Sequence, residues 1–286
     1  MSTKHIRTNM NLSAVFVIIC FFSCQLATGQ FYYKELLVPA RTTQQLLDFK
    51  KQRIKSVKIL SYERDSQPTE GFEGSQTIHN NYTKIVTRFI SPYAGESMLT
   101  SFFNTKGQLV STLDTTDGSG SLNRYSYNVK DQLTSIVNIS TSDGPSKQNE
   151  AHLWHYRDDG SPDRLLRIKN ERDTSYYEFI LDEKGRVAEE NGRRNSTSLP
   201  SFYYYYNDQG QLTDIASYSR KADRILPGYI FEYNNNGLVS SMIMVPEGSD
   251  DYQKWHYTYN DAGLKIKEQC FNKKRQLLGS IEYQYD

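Results

Sequence analysis

The densest cluster of side chains that could perform acid–base or metal chemistry lies between His152 and Tyr156. In a β-strand, side chains alternate between the two faces. His152 and Trp154 therefore share a face with Tyr156, whereas His155 points the other way. Two histidines on opposite faces make a poor metal-binding pair. The stretch Trp255-His256-Tyr257 echoes Trp154-His155-Tyr156, and this repetition favours packing. Ligand contact through Trp154 or Trp255 remains the alternative.

Two acidic pairs, Asp158-Asp159 and Asp182-Glu183, could supply carboxylates. Glycoside hydrolysis needs two carboxyl groups about 5 to 10 Å apart across a cleft. Both pairs, however, fall where turns are expected, and Asx side chains cap turns locally. A calcium site in an acidic turn is the alternative. Zinc-binding and nucleotide-binding motifs are absent from the sequence. We therefore predict no catalytic residue, no metal and no cofactor.

The run Tyr203 to Tyr206 is the best candidate for a binding surface. Alternation places Tyr204 and Tyr206 on one face and the other two tyrosines on the opposite face. One pair is expected in the core, and the other could stack on sugars or on the side chains of a partner. The candidate contact residues are Tyr204, Tyr206, Trp154 and Trp255. The alternative is a cross-strand aromatic ladder, which stabilises a sheet by about 0.2 to 1 kcal/mol per pair.

These residues sit in a repeat in which an aromatic pair precedes Asn or Asp, with Gly three residues later. One unit reads Tyr204-Tyr205-Tyr206-Asn207-Asp208-Gln209-Gly210. The Asn/Asp position recurs at intervals of 24 to 29 residues, at Asn104, Asn128, Arg157, Asp182, Asn207, Asn234, Asn260 and Asp286. A fixed period of this length indicates a repeat architecture.

Each unit of the repeat predicts two strands and two turns. Aromatic residues at i and i+2 project from one face of a strand, and Gly supplies the positive φ that the turn requires. Alternating apolar residues such as Leu212 and Ile215 then mark the returning strand. Hairpins in series form a meander. We predict an all-β fold, an antiparallel hairpin meander that forms one long curved or spiralled sheet.

One short helix is predicted before the sheet. Thr42-Thr43 could cap a helix through Gln44 to Lys51, with cations at its C-terminal end, where they suit the helix dipole. We expect this helix to cover the first edge of the sheet, because exposed edges invite unwanted pairing. The N-terminal cap segment is assigned to residues 30–57 and the repeat domain to residues 58–286.

The first 29 residues have the pattern of a secretory signal peptide. Lys4 and Arg7 precede an apolar stretch from Ala14 to Cys24, and Ala27-Thr28-Gly29 is a cleavage signal before Gln30. The apolar stretch is shorter than the roughly 20 residues of a membrane helix. A lipid anchor at Cys24 is the less favoured alternative. No transmembrane helix is expected in the mature chain.

Charge and cysteine content exclude some classes of partner and of crosslink. The formal net charge is +1, and removal of the two signal-peptide cations makes it −1. A near-neutral chain is a poor match for nucleic acid or for anionic membranes in general. Cys270 would be the only cysteine of the mature chain, which leaves no intrachain disulfide, and we expect it to be packed.

The repeat resembles that of the bacterial YD-repeat, or RHS-like, proteins, whose unit is roughly Tyr-x-Tyr-Asp-x-x-Gly-Arg-Leu. Here the match is Tyr204-x-Tyr206-Asn207-x-x-Gly210-Gln211-Leu212, with degenerate copies from Phe102 to Asp286. Large members look like shells that enclose a toxin, but this chain has no C-terminal core motif and no toxin segment. The resemblance implies a secreted, non-enzymatic protein of a Gram-negative bacterium, located in the periplasm or at the extracellular or outer-membrane surface. Its role would be that of a scaffold or interaction surface for a protein or glycan. The alternative is a glycan-binding module that uses exposed aromatic residues.

Overall fold

The computed structural model describes residues 31–79, 81–92, 94–116, 119–140, 149–246, 249 and 251–286. The predicted signal peptide and Cys24 lie outside the described residues. The described part of the chain forms one helix, α1 (Lys34–Gln52), and nineteen strands. The strands are β1 (Ser56–Glu63), β2 (Glu73–His79), β3 (Lys84–Ser91), β4 (Gly95–Phe103), β5 (Leu109–Thr116), β6 (Ser119–Tyr127), β7 (Leu133–Ser140), β8 (Asn149–Tyr156), β9 (Pro162–Lys169), β10 (Asp173–Leu181), β11 (Val187–Arg194), β12 (Thr197–Ser198), β13 (Phe202–Tyr206), β14 (Leu212–Ser219), β15 (Arg224–Tyr233), β16 (Val239–Met244), β17 (Gln253–Tyr259), β18 (Lys265–Asn272) and β19 (Leu277–Tyr285).

The sheet closes on itself into a barrel. Each strand pairs antiparallel with the next along the chain, which confirms the predicted meander, and β19 then pairs with β1 over seven residue pairs from Val57↔Tyr285 to Glu63↔Gly279. The two-residue strand β12 lies in the connection between β11 and β13, which also pair directly, so the ring has eighteen strands. The predicted curved or spiralled sheet is therefore a closed ring, a property that the prediction did not include. A local repeat determines hairpins, but it carries no information on whether the first strand meets the last.

Alternation divides each strand between the interior of the barrel, here called the lumen, and the outer wall. In β1, Val57 and Ile59 are buried on the lumen side and Lys58 is exposed on the wall. In β10, Tyr177 and Phe179 are buried, and Tyr176 and Ile180 are exposed. The lumen is thus lined largely by aromatic and aliphatic side chains.

The repeat turns use the Asn side chain as a local clamp. Asn104 Oδ1 accepts hydrogen bonds from the backbone N–H groups of Lys106 and Gln108, both at 3.0 Å, and Asn104 Nδ2 donates to Gln108 Oε1 at 2.8 Å. Gly107 adopts a φ of +82°, as the turn requires. The backbone clamp recurs at Asn128, Asp182, Asn234, Asn260 and Asn272. The predicted role of these positions as turns is confirmed.

Where a tyrosine directly precedes the Asn/Asp position of the repeat, it ties its hairpin to the preceding one. Tyr233 Oη donates to the carbonyl of Leu212 at 2.7 Å, and Tyr206 Oη donates to the carbonyl of Val187 at 2.8 Å. The equivalent bond is made by Tyr127, Tyr156, Tyr259 and Tyr285. Each acceptor carbonyl belongs to the first residue of a strand that follows a repeat turn. The second tyrosine of the repeat therefore couples neighbouring hairpins.

We expect Tyr233→Phe to lower the free energy of unfolding by about 1 kcal/mol, because it removes one intramolecular hydrogen bond while keeping the ring. The matched control is Tyr205→Phe, since Tyr205 is 48% exposed on the outer wall. Urea denaturation of the three proteins provides the measurement. Equal losses in the two variants would show that the bond to Leu212 contributes nothing.

Helix α1 is confirmed. It is longer than predicted, and it packs inside the barrel and not over an edge of the sheet. The prediction began at Gln44, because Thr42-Thr43 was expected to cap the helix; α1 instead begins at Lys34 and includes both threonines and Pro39. The expected role in covering an edge is wrong, because β1 is paired on both sides. Instead, Leu46 and Phe49 pack among lumen residues of β1, β5 and β19. None of the described helices is long and apolar enough to cross a membrane.

Candidate functional site

The beginning of the described chain, Phe31 to Arg53, is here called the N-terminal segment, and it is bound inside the lumen. Its first residues pack against lumen side chains of β7 to β15. Leu46 and Phe49 pack against a different group of strands, which includes β1, β5 and β19. Contacts with both parts of the ring place the segment within the barrel. The side chains that hold it are the most concentrated set of buried ionisable groups in the described structure.

Glu190 holds the start of the segment. Alternation along β11 turns this side chain into the lumen, where it is 1% exposed. One carboxylate oxygen accepts the backbone N–H of Tyr32 at 2.9 Å, and the other accepts the N–H of Tyr33 at 3.0 Å and the hydroxyl of Tyr204 at 2.7 Å. These are donors at the N-terminal end of α1, where a helix favours negative charge. Glu190, on strand β11, thus caps α1 inside the lumen.

Burial dominates the electrostatics of Glu190. Desolvation raises the pKa of its carboxyl to about 7, although the hydrogen bonds from Tyr204, Tyr32 and Tyr33 favour the ionised form and limit the rise. Burial also raises the pKa of Tyr204 well above its usual value, and the adjacent carboxylate adds to that effect. Tyr204 therefore stays a neutral donor to Glu190.

His152 joins α1 to the strands of the barrel. Its Nδ1 lies 2.7 Å from Glu35 Oε1 on α1, and its Nε2 lies 2.7 Å from Glu150 Oε1 on β8. Arg167, on the neighbouring strand, binds Glu150 with two nitrogens at 2.8 and 2.6 Å. Glu35, His152, Glu150 and Arg167 form an alternating chain of charges, here called the His152 network.

Within the network, charge pairing outweighs burial. Burial opposes the imidazolium, but the hydrogen bonds that the ring donates to Glu150 and Glu35 raise the pKa of His152 to about 9. Burial likewise opposes ionisation of Glu150, but His152 and Arg167 together lower the pKa of its carboxyl to about 2. Near neutral pH, His152 is therefore charged and holds Glu35 and Glu150 together.

Aromatic contacts complete the binding of the N-terminal segment. The ring of Phe31 lies 5.7 Å from those of Phe202 and Tyr229. Tyr33 meets the ring of Tyr204 edge-on at 5.0 Å. The ring of Tyr32, which is almost fully buried, lies 4.3 Å from that of Tyr177. Three consecutive aromatic residues therefore each pack against aromatic side chains that line the lumen.

A second buried carboxylate, Glu268 on β18, has a different set of partners. It is 2% exposed, forms an ion pair with Lys265 and accepts the hydroxyl of Tyr283 at 2.7 Å. The ammonium of Lys265 lies 5.2 Å from the ring of Tyr257 and 5.5 Å from that of Tyr283. This site ties the neighbouring strands β18 and β19 together.

The four residues predicted to contact a ligand all face the lumen. Trp154 stacks on Phe179 at 5.1 Å, and Trp154, Trp255 and Tyr204 are each 3% exposed. Tyr206 is half-buried and bonded to Val187. Their proposed role in binding stays a prediction, and in this structure any such contact would have to be made from inside the barrel. The structure brings Tyr204 together with Glu190 and places Trp255 in a separate cluster with Cys270.

The other sequence candidates lie where alternation and turn chemistry put them. His155 is exposed on the wall, opposite the buried His152. Asp159 and Asp182 accept backbone N–H groups within their own turns. Cys270 is buried. Among the described residues, His, Cys, Asp and Glu side chains form no group of three that could hold a metal ion.

Sequence reasoning missed Glu35, Glu190 and Arg167. One contact of the His152 network could have been predicted: Glu150 and His152 are two residues apart on a strand and must share a face. For Glu190 and Arg167 the decisive information is the cross-strand register, Glu190↔Phe202 and His152↔Arg167. A single sequence does not supply that register.

Comparison with known proteins adds limited information. No protein family and no curated protein matches the chain. Among solved structures, a crystal structure of TcdB2-TccC3-TEV is 15% identical, with a TM-score of 0.35, over 74% of this chain and 12% of that one. The Photorhabdus luminescens Tc holotoxin pore is 16% identical, with a TM-score of 0.35, over 71% of this chain and 11% of that one. The match therefore covers only about an eighth of the length of each of these two proteins.

A porin-like protein from Bacteroides uniformis is also similar, with 11% identity and a TM-score of 0.40 over 82% of this chain and 98% of that one. Similarities at these values of identity and TM-score establish neither membership of a family nor a shared activity. The assignment of function rests instead on the geometry of the barrel itself.

Proposed function

We propose that the protein is a secreted, non-enzymatic scaffold of the cell envelope that offers its outer surface for interaction. The observation that carries this proposal is the use of the buried ionisable groups. Glu190 and the His152 network are engaged with the N-terminal segment, and Glu268 is engaged with Lys265 and Tyr283. Groups that could perform acid–base chemistry are thus used to hold the barrel and its contents together.

The chemistry of the outer wall supports contact with water. Arg88 pairs with Glu96 at 2.6 Å, Lys254 with Glu232 at 3.3 Å and Lys267 with Glu282 at 2.9 Å, all on the wall. Burial of an Arg or Lys against lipid costs about 2 to 4 kcal/mol at the bilayer midplane. A wall with these charges, around a lumen lined largely by aromatic and aliphatic side chains, suits a barrel surrounded by water. We place it in the periplasm or at the outer-membrane or extracellular surface of a Gram-negative bacterium, as a short YD-repeat-like protein.

The test is a panel of chromogenic ester, phosphate, glycoside and peptide substrates, assayed with the purified protein and with Glu190→Gln and His152→Gln. No turnover above that of a heat-denatured sample is expected. A substrate that the native protein hydrolyses, and that either folded variant no longer hydrolyses, would overturn the non-enzymatic assignment. Fractionation of the producing cells tests the location, with the protein expected outside the cytoplasm.

The second candidate is a glycan-binding module, and one observation favours a site on the wall. Tyr205 is 48% exposed on the wall, beside Tyr203 on the same face of β13, whereas Tyr204 and Tyr206 face the lumen. Glycan-array binding that is lost in Tyr205→Ala and kept in Tyr176→Ala would support this candidate. An array without any bound glycan would argue against it.

A further inference from the structure

One end of the barrel carries a concentration of arginines. The connections β9–β10, β11–β13 and β14–β15 lie side by side, at the end opposite the repeat turns at Asp182 and Asn207. Their exposed arginines are Arg172, Arg193, Arg194, Arg220 and Arg224. We call this surface the basic end. Residues 169–173, 193–201 and 219–224 together hold seven Lys or Arg and three Asp or Glu, so their net charge is +4. The near-neutral charge of the whole chain conceals this local excess.

Part of the acidic charge at the basic end is already engaged. Asp173 forms an ion pair with Arg194 at 2.6 Å, and Asp223 accepts a hydrogen bond from the hydroxyl of Tyr218. Arg193 lies over the ring of Tyr176, with its guanidinium carbon 5.3 Å from the ring centre. These contacts orient arginine side chains at the rim. Guanidinium groups match phosphate oxygens in geometry and charge.

Apolar side chains stand exposed beside these arginines. Tyr176, Tyr218 and Ile225 are 44%, 51% and 42% exposed. Tyr218 and Ile225 are direct cross-strand partners, next to the pair Ser219↔Arg224. Tyrosine and arginine beside an exposed aliphatic residue suit the boundary between lipid headgroups and acyl chains, where amphipathic side chains keep their polar ends in water.

We propose that the basic end docks the barrel onto an anionic lipid surface. The arginines would bind headgroup phosphates, and Ile225, Tyr218 and Tyr176 would enter the interfacial layer. The exposed apolar residues favour a lipid surface over a soluble polyanion, which needs only the cations. This inference deepens the proposed envelope role by naming a partner, but it rests on the basic end and not on the absence of catalysis.

The test uses the protein expressed from its full reading frame and sedimented with vesicles. The vesicles are phosphatidylcholine alone or an equimolar mixture with phosphatidylglycerol. The triple variant Arg172→Gln, Arg220→Gln, Arg224→Gln is compared with a control that loses the same charge at other exposed positions, Lys51→Gln, Lys130→Gln, Lys184→Gln. Each cation near an anionic surface strengthens binding roughly fivefold, so the arginine triple should bind the mixed vesicles on the order of a hundredfold more weakly. The control should bind like the native protein.

A second pair of variants separates lipid from other polyanions. Ile225→Ser should weaken binding to the mixed vesicles severalfold. Ile180→Ser should not, because Ile180 is also exposed but lies next to the repeat turn at Asp182, at the end of the barrel away from the basic end. Equal binding by the two triple variants, or equal binding of the native protein to both vesicle types, would overturn the proposal. So would tighter binding to a DNA duplex that is insensitive to Ile225→Ser. None of these outcomes depends on the substrate panel, so the failure of one proposal is distinguishable from that of the other.

Discussion

Replacement of Glu190 by alanine is expected to lower the free energy of unfolding by about 3 to 5 kcal/mol. The carboxylate accepts the backbone N–H groups of Tyr32 and Tyr33 and the hydroxyl of Tyr204. Its removal leaves three donors in the lumen without their acceptor and removes the negative charge at the start of α1. For a chain of this size, the loss corresponds to a fall in Tm of about 10 °C. Urea denaturation and calorimetry provide the measurement.

The matched control for this change is Glu189→Ala. Glu189 is the preceding residue on the same strand and faces the wall, so its replacement should change stability by at most about 0.5 kcal/mol. Limited trypsin digestion gives a second readout: Arg41 and Lys50 are exposed but lie in α1, and loss of the cap should unwind the helix and allow cleavage after them. If Glu190→Ala and Glu189→Ala unfolded alike, the capping role of Glu190 would be refuted.

Glu190 also predicts a dependence on pH. Its pKa is raised from 4.5 to about 7 in the folded protein, so folding favours the protonated carboxyl. The part of its contribution that comes from this raised pKa is therefore fully present below pH 4.5 and is lost as the pH rises through about 7. Glu190→Gln, which cannot ionise, should lack this part of the pH dependence.

The second large effect concerns His152. The pKa of its imidazole is raised from 6.5 to about 9, so its contribution is fully present below pH 6.5 and is lost as the pH rises through 9. A shift of this size corresponds to about 3 kcal/mol. The groups that face His152 are Glu35 from α1, Glu150 from its own strand and the ring of Tyr32, with Arg167 behind Glu150. We expect the free energy of unfolding to fall by about this amount between pH 6.5 and 9.

His152→Gln should remove that dependence on pH and should also lower stability at pH 6.5, because Glu35 and Glu150 lose the cation between them. The control is His155→Gln, three residues further along β8 and exposed on the wall. It should leave both the stability and its pH profile unchanged. A native protein whose stability is flat from pH 6.5 to 9 would contradict the charged state assigned to the His152 network.

The parts of this fold that a sequence can specify are local. The Asn104 clamp needs only Asn, Gly107 and Gln108 within five residues. Alternation alone places Tyr204 with Tyr206, and His152 with Trp154, on one face of their strands. The predicted helix began after Thr42-Thr43, because threonine suits a cap, whereas α1 begins at Lys34, next to the backbone N–H groups that Glu190 accepts.

The candidate site, by contrast, is assembled from distant parts of the chain. Glu190 meets Tyr32 across 158 positions of sequence, and His152 meets Glu35 across 117. Each acid has an unremarkable local pattern, because a charged residue on a strand usually faces water. What turns these residues into partners of the N-terminal segment is the closure of the ring around it. The basic end depends likewise on the alignment of three separate connections.

Ring closure also dictates the order in which folding can finish. Strand β19 is joined to β18 and then to β1, which is more than two hundred positions earlier in the sequence. Until β19 docks, β1 and β18 both expose unpaired backbone groups, and such edges recruit other chains. Contacts between residues so far apart form slowly. In the folded barrel the N-terminal segment contacts two groups of strands, β1, β5 and β19 on one side and β7 to β15 on the other, so it links the strands that meet at the β1–β19 pairing to a part of the sheet that lies further along the ring.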